Sequence, residues 1–307
     1  MSDAVVTPAS SKPVSGKGGL ARWLISGPPL LYLIFFFAVP TLIMVFASFR
    51  FPGDYGGLAP LFDAGGALNL TLENFEPFFT SFIYTWVFLK SFLYAIVTTL
   101  ACLVMAYPVA LLIARSPQKW RNLLILLVIL PFWSNFLIRI YAWMILLGPQ
   151  SLITRGLNAV LDVFGFEPVT LLYSGFAVIV GLVYVHLPFM VLPLYANLEK
   201  HDPALLDAAQ DLGAGKWQIF WRVTFPLSLP GVYAGAALVF IPALGIFAVS
   251  DILGGTGGLM IGNVIKQQFL ESRDWPFGSV LSIMLTLAAL AAAGLAALLA
   301  RPRRKHA

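Results

Sequence analysis

The residues best suited by type to chemistry begin at Gly213-Ala-Gly215-Lys216. A glycine-rich turn ending in lysine can cradle phosphate. Here Gln210 stands where that pattern needs its first glycine, and Trp217 stands where it needs Ser or Thr. The chain is therefore not expected to bind ATP itself. The 3 histidines make no metal-ligand spacing with one another. His186 sits in an apolar run and reads as packed or backbone-bonded, in preference to a proton relay. Cys102 is the only cysteine, so no internal disulfide can form, and a small buried thiol is the simplest role for it. No nucleophile, base and oxyanion constellation appears, which argues against a membrane hydrolase. What remains is non-covalent chemistry. Asp251 ends an apolar run, a position where ionisable groups usually face a bundle interior. It could equally cap a helix or pair with Arg139, a cation inside another apolar run that needs an acidic partner. Asp207-Ala208-Ala209 followed by Gly213 lies in a polar break between two apolar runs, where it would serve docking.

These residues must be positioned by membrane helices. The 307-residue chain is 59% hydrophobic and only 11% charged, with mean hydropathy +0.87. A soluble domain carries roughly 25% charged residues. The fold class is thus an all-α polytopic membrane protein. Six stretches reach the roughly 20 apolar residues that a span requires: about 24–49, 84–114, 121–148, 172–195, 228–250 and 277–300. The first is too long for a signal-peptide core of roughly 7–15 residues and reads as an uncleaved span. Residues 1–22 are rich in Ser, Gly, Pro and Lys and are expected to form a disordered tail. Residues 23–300 form the membrane domain, and 301–307 form a short basic tail.

Lys and Arg set the orientation. With the N-terminus inside, 13 of the 19 basic residues fall on cytoplasmic segments, among them Arg115, Lys119, Arg121, Lys200, Lys216 and Arg222. Both termini and the loop 196–226 are then cytoplasmic. The net charge of +5 reflects this bias and does not call for nucleic acid. The first outer loop is acidic, with Asp54, Asp63, Glu73 and Glu76, either because sorting leaves acids outside or because it attracts a cation. Asn69–Phe75 within it is expected to form a short surface element. Gly254-Gly255-Thr-Gly257-Gly258 reads as a flexible external turn. Pro40, Pro108, Pro131, Pro188, Pro193 and Pro242 should kink or end their helices. No internal repeat is evident. Six spans are few for a complete transporter, so a partner subunit is expected.

The loop 196–226 has its own helix. Asp202 is a good N-cap, Pro203 fits the first helical position, and Gly213 is a natural C-terminal cap. Leu205, Ala208/Ala209 and Leu212 share a narrow face whose middle is small, suited to seating deep in a cleft. Asp207 lies beside that face and offers a carboxylate to a basic partner. A second amphipathic turn follows at Trp217–Arg222.

The sequence Asp207-Ala208-Ala209, then Gly213, then Val223-Thr-Phe-Pro226 resembles the EAA loop of ABC importer permeases. Asp207, Val223 and Phe225 replace the Glu, Ile and Leu that the family prefers, keeping charge and apolarity. Pro131–Tyr141, Gly181–Tyr184 with Leu187–Met190, Val249–Gly255, Ile261–Ile265 and Arg273–Phe277 are similar to spermidine/putrescine permease subunits, from about residue 24 onward. The resemblance implies type I ABC importer architecture in a bacterial inner membrane. It implies a non-catalytic subunit that binds no cofactor, with ATP and Mg used by separate ABC ATPase subunits. It also implies a second homologous permease subunit, an extracytoplasmic polyamine-binding protein and transport by alternating access. The loop would then be a coupling helix in a groove of the ATPase, through Asp207, Ala208, Ala209, Leu212 and Gly213. A polyamine favours carboxylates at intervals with aromatic faces between them. Asp251, Glu271 and Asp274 are the candidate carboxylates, and Trp133, Tyr141, Trp143, Tyr184 and Trp275 the candidate aromatics. Another small solute on the same architecture, or a self-sufficient secondary transporter or channel, are the competing readings.

Overall fold

The computed structural model describes residues 18–62 and 65–300. Residues 1–17 of the expected N-terminal tail, Asp63 and the basic tail 301–307 lie outside the described residues. Helix α1 (Gly18–Leu33) begins inside the stretch expected to lack structure. The chain divides into two compact units, one ending at Phe46 and the other starting at Ala47. In the first, α1 continues through a π turn at Ile34–Ala38 into α2 (Val39–Ser48), whose last two residues belong to the second. Thr41 Oγ1 donates to the Phe37 carbonyl at 2.8 Å, the usual way a hydroxyl is satisfied in an apolar helix.

The second unit opens with an irregular segment bearing isolated antiparallel bridges Arg50↔Leu70, Pro52↔Leu58 and Phe62↔Leu68. Asn74 Nδ2 closes it by donating to the carbonyls of Ser48 (2.9 Å) and Arg50 (2.7 Å). The surface element expected near Asn69–Phe75 is a 3-10 turn, Glu73–Phe75, that leads into α3 (Glu76–Thr80). Helix α4 (Phe82–Arg115) is the longest. A turn at Ser116-Pro117 joins it to α5 (Gln118–Ile129).

The third apolar stretch, expected as one span over 121–148, is broken. After α5 the chain tightens into a 3-10 turn at Leu130–Trp133, then restarts as α6 (Phe136–Leu147). Pro131 lacks a backbone donor, and Asn135 starts a new helix by accepting from Leu137 N (2.8 Å) and Ile138 N (3.4 Å). Helix α7 (Leu152–Val163) follows, with Ser151 as its cap. Arg155, Asn158 and Asp162 lie on one face of α7 at helical spacing, so α7 is amphipathic.

Helix α8 (Gly175–Leu198) leads through a short turn to α9 (Pro203–Asp211). The polar interruption expected over 196–226 is shorter than that. Helix α10 (Lys216–Ile219) passes through a π turn, Phe220–Thr224, straight into α11 (Phe225–Gly245). Trp217–Arg222 is therefore the base of a long helix. The π turn ends two residues before Pro226, whose missing N–H leaves the Arg222 carbonyl without its α-helical donor. Helix α12 (Ala248–Leu253), α13 (Ile261–Leu270) and α14 (Trp275–Ala300) complete the chain. Six helical segments among the described residues are long and apolar enough to cross a membrane: Ser26–Ser48, Phe82–Arg115, Phe136–Val163, Gly175–Leu198, Lys216–Gly245 and Trp275–Ala296. In the third of these α7 supplies the second half. Length and polarity instead favour α5 with α6 as the crossing pair, because α7 carries a charged face.

Helices α4, α8 and α11 form the centre of the second unit. Cys102, Ala106, Ala110, Met190, Leu194 and Val239 are buried among them. Small residues let the backbones approach. A Cβ on Gly235 would lie 2.6 Å from Met190 Sδ, and one on Gly231 would lie 2.7 Å from Asn197 Cβ. Helix α14 packs on α11 and α13. A second cluster joins Ile140 of α6 to Leu182 of α8, Val249 and Leu253 of α12, and Met260.

Candidate functional site

Helix α9 is closed at both ends by its own sequence. Asp202 Oδ1 accepts from Ala204 N at 3.0 Å. At the other end Ala214 N donates to Ala209 O (3.0 Å) and Gly213 N to Gln210 O (2.8 Å). This is a Schellman closure, and it requires the φ of +80° that Gly213 adopts. The nine residues between need little help from tertiary packing to hold their ends.

The two faces of α9 differ. Leu206 and Gln210 line a cavity of about 510 Å³ with Leu111, Arg115 and Thr224. Leu205 (47% exposed) and Leu212 (88%) face outward, with Ala208 exposed between them and Asp207 exposed alongside, while Ala209 is half-buried. The outward stripe thus runs through Ala208, and Ala209 supports it from behind.

This helix is tied to the bundle at both flanks. Arg121 Nη1 lies 2.5 Å from Glu199 Oε1, joining the basic α4–α5 turn to the end of α8. Downstream, Phe220 packs edge-on against Tyr107 of α4 at 5.2 Å between ring centres. Tyr107 Oη and Ser228 Oγ share a hydrogen bond of 2.8 Å. Trp217 stacks on Phe220 beside this contact, and Trp221 meets both rings edge-on.

A second cluster of charges surrounds α12. Asp251 does not end the fifth long helix. That helix stops at Gly245, Ile246 is extended, and Asp251 sits on the separate α12. Nor does it pair with Arg139. Its Oδ2 accepts from Lys266 Nζ at 2.7 Å, and its Oδ1 accepts from Asn263 Nδ2. Asn263 also donates to the Phe247 carbonyl at 3.2 Å, and the Lys266 ammonium lies 5.7 Å from the centre of the Phe247 ring. The hydrogen bond to Asp251, followed by its charge, pushes the Lys266 pKa above its ordinary 10.5; Glu271 adds a smaller push. Lys266 is therefore an ammonium throughout the physiological range.

The other carboxylates part company. Glu271 is exposed and acts on Lys266 through space. Asp274 caps α14, accepting from Phe277 N at 3.1 Å, and is thus used by the fold. Among the aromatics, Tyr184 meets Trp143 at 5.6 Å. The Arg139 guanidinium lies 5.5 Å from the Phe132 ring centre and 6.0 Å from that of Tyr184. No carboxylate within 4.0 Å neutralises Arg139 among the described residues; aromatic faces hold it instead. Trp133 and Tyr141 are exposed, and Trp275 is 45% exposed.

His186 is buried, its Nδ1 2.8 Å from the Leu182 carbonyl. The glycine run 254–258 is packed and tethered. Ser250 Oγ donates to Gly258 O (2.6 Å) and Lys90 Nζ to Gly257 O (2.5 Å). Among the described residues no group of His, Cys, Asp and Glu could hold a metal ion.

Sequence reasoning missed Lys266, Asn263 and Phe247. Phe247 and Asp251 are four apart, and Asn263 and Lys266 are three apart, so each pair was visible as a helical neighbour. Nothing in the sequence signalled that the two pairs meet.

The model for the family described as "Binding-protein-dependent transport system inner membrane component" matches residues 22–305. The "Spermidine/putrescine transport system permease protein PotB" of Escherichia coli (strain K12) is 45% identical over 258 residues, covering 83% of this chain and 89% of that one. Its counterpart of the same name in Haemophilus influenzae is 44% identical, covering 83% and 86%. The "Inner membrane ABC transporter permease protein YdcU" of Escherichia coli is 32% identical over 226 residues, covering 70% and 72%. Among solved structures, a chain of a bacterial alginate ABC transporter in complex with alginate pentasaccharide-bound periplasmic protein superposes with TM-score 0.71. It is 18% identical and covers 93% of this chain and 95% of that one, so the two share the fold. A broken, capped helical bundle with an outward-facing helix α9 and this extent of likeness lead to one conclusion: the chain belongs to the binding-protein-dependent transport system inner membrane component family, as a non-catalytic, multi-pass inner-membrane permease subunit of an ABC importer.

Proposed function

We propose that this permease carries polyamines, putrescine or spermidine, into the cytoplasm, and that α9 receives the motion of the ATPase. The cargo reading is supported by the 45% identity to a permease whose name states spermidine and putrescine. The coupling reading is carried by the free apolar stripe of α9, Leu205, Ala208 and Leu212, on a helix capped by Asp202 and Gly213. A stripe with a small residue at its centre suits a cleft between protein lobes. Asp207 beside it suits a basic wall.

The sidedness follows from the same end of the molecule. The ion pair Arg121–Glu199 puts the basic turn 115–121 beside α9, which supports assigning both to the cytoplasm under the charge rule. Both termini then lie inside. A second homologous permease subunit and an extracytoplasmic polyamine-binding protein complete the importer. When ATP closes the ATPase pair, α9 moves with it. Glu199–Arg121 passes that movement to α5, and the continuous α10–α11 helix passes it to α4 and α8. The cavity between the subunits then changes the side to which it opens.

Ala208→Trp tests the coupling role in the whole importer. It should abolish ATP-driven uptake and leave membrane insertion unchanged. Normal uptake would refute the role of α9. Active transport by this chain purified without any ATPase would refute the importer reading for it.

A further inference from the structure

The Lys266 side chain ends in a butylammonium, the same group that ends putrescine. It is held as an ammonium cargo would be held. Asp251 Oδ2 supplies the counter-charge at 2.7 Å, and the Phe247 ring supplies an aromatic face at 5.7 Å. Asn263 fixes the carboxylate from its other oxygen and is itself anchored to the Phe247 carbonyl. Glu271 adds a second negative charge to the neighbourhood of Lys266. One carboxylate thus contacts the ammonium, and a second, Glu271, acts on it from beyond ion-pair distance. The pair is not sealed: the Lys266 and Asp251 side chains are 33% and 34% exposed. An exposed ion pair adds little to stability, so holding the fold together does not account for an arrangement this complete.

We infer that Asp251, Phe247 and Asn263 form an ammonium-binding site for the cargo, and that Lys266 occupies it as an exchangeable stand-in between transport cycles. This rests on the polyamine reading and names a site for it. An incoming alkylammonium takes the place of Lys266 on Asp251, while Lys266 swings toward Glu271. The charge in the site is the same before and after, so exchange leaves no bare carboxylate. When the cargo leaves, Lys266 returns and weakens rebinding.

The test uses the complete importer in proteoliposomes, with labelled putrescine and spermidine as probes. Wild-type protein that takes up neither refutes the polyamine reading itself. Given uptake, Asp251→Asn should lower it by about tenfold or more, the worth of one charge-assisted hydrogen bond. Stimulation of ATP hydrolysis by the binding protein should persist. Lys266→Met should keep or raise uptake and lower the half-saturating cargo concentration. The double variant should behave as Asp251→Asn does. A double variant that transports normally overturns the proposal, because the pair is then structural. Loss in Lys266→Met equal to that in Asp251→Asn also overturns it, as does wild-type uptake in all three. Should Asp251→Asn fail to assemble, Lys266→Met decides alone; failure of both to assemble marks the pair as structural.

Discussion

Gly213 is the residue on which the shape of α9 turns. Its φ of +80° lies where a side chain costs roughly 1–2 kcal/mol. Nothing lies within 4 Å of where a Cβ would be, so Gly213→Ala would meet strain and no clash. It should loosen the end of α9, raise protease sensitivity near residue 213 and reduce uptake without abolishing it. Asp202→Ala removes the cap at the other end and should cost about 1 kcal/mol of local helix stability, read as faster amide exchange at Ala204. Tyr107→Phe has an effect of similar size. Ser228 keeps its bond to the Phe225 carbonyl at 2.8 Å, so the loss is about 1 kcal/mol and assembly should be normal. Both caps of α9 were legible in the sequence, because capping depends on neighbours within five residues. The partner of Asp251 was not, because Lys266 lies 15 residues away on another helix.

At the scale of elements, the sequence located the long apolar stretches but misplaced several of their ends. Hydropathy registers a run of apolar residues and is blind to the change at Asn135, where a side chain starts a new helix inside that run. The sequence likewise set Trp217–Arg222 apart as a second amphipathic turn within the loop, although the stretch is the base of the α11 helix. The contact of α8 with α11 was unreadable for a different reason. It depends on which glycine faces which neighbour. Gly235→Leu tests that contact: its first added carbon already lies 2.6 Å from Met190 Sδ. Overpacking of this kind costs roughly 1–3 kcal/mol, so a lower melting temperature of the purified importer is expected.

For the whole molecule, the prediction concerns direction. With α9 in the cytoplasm, a cysteine at Leu212, which is 88% exposed, should react with a membrane-impermeant maleimide in inside-out vesicles and remain unmodified in right-side-out ones. The reverse pattern would invert the proposed topology. Addition of the ATPase subunits should shield it in the inside-out vesicles.

Cys102 makes such measurements simple. It is the chain's only cysteine, it is buried against α8, and its thiol points at the Val183 carbonyl at 3.7 Å. The native protein is therefore already a silent background for thiol chemistry. Fluorophores or spin labels can be placed in pairs on α9 and on α13 without first removing a native residue, so the distance changes of a turnover cycle can be followed in an otherwise unaltered permease.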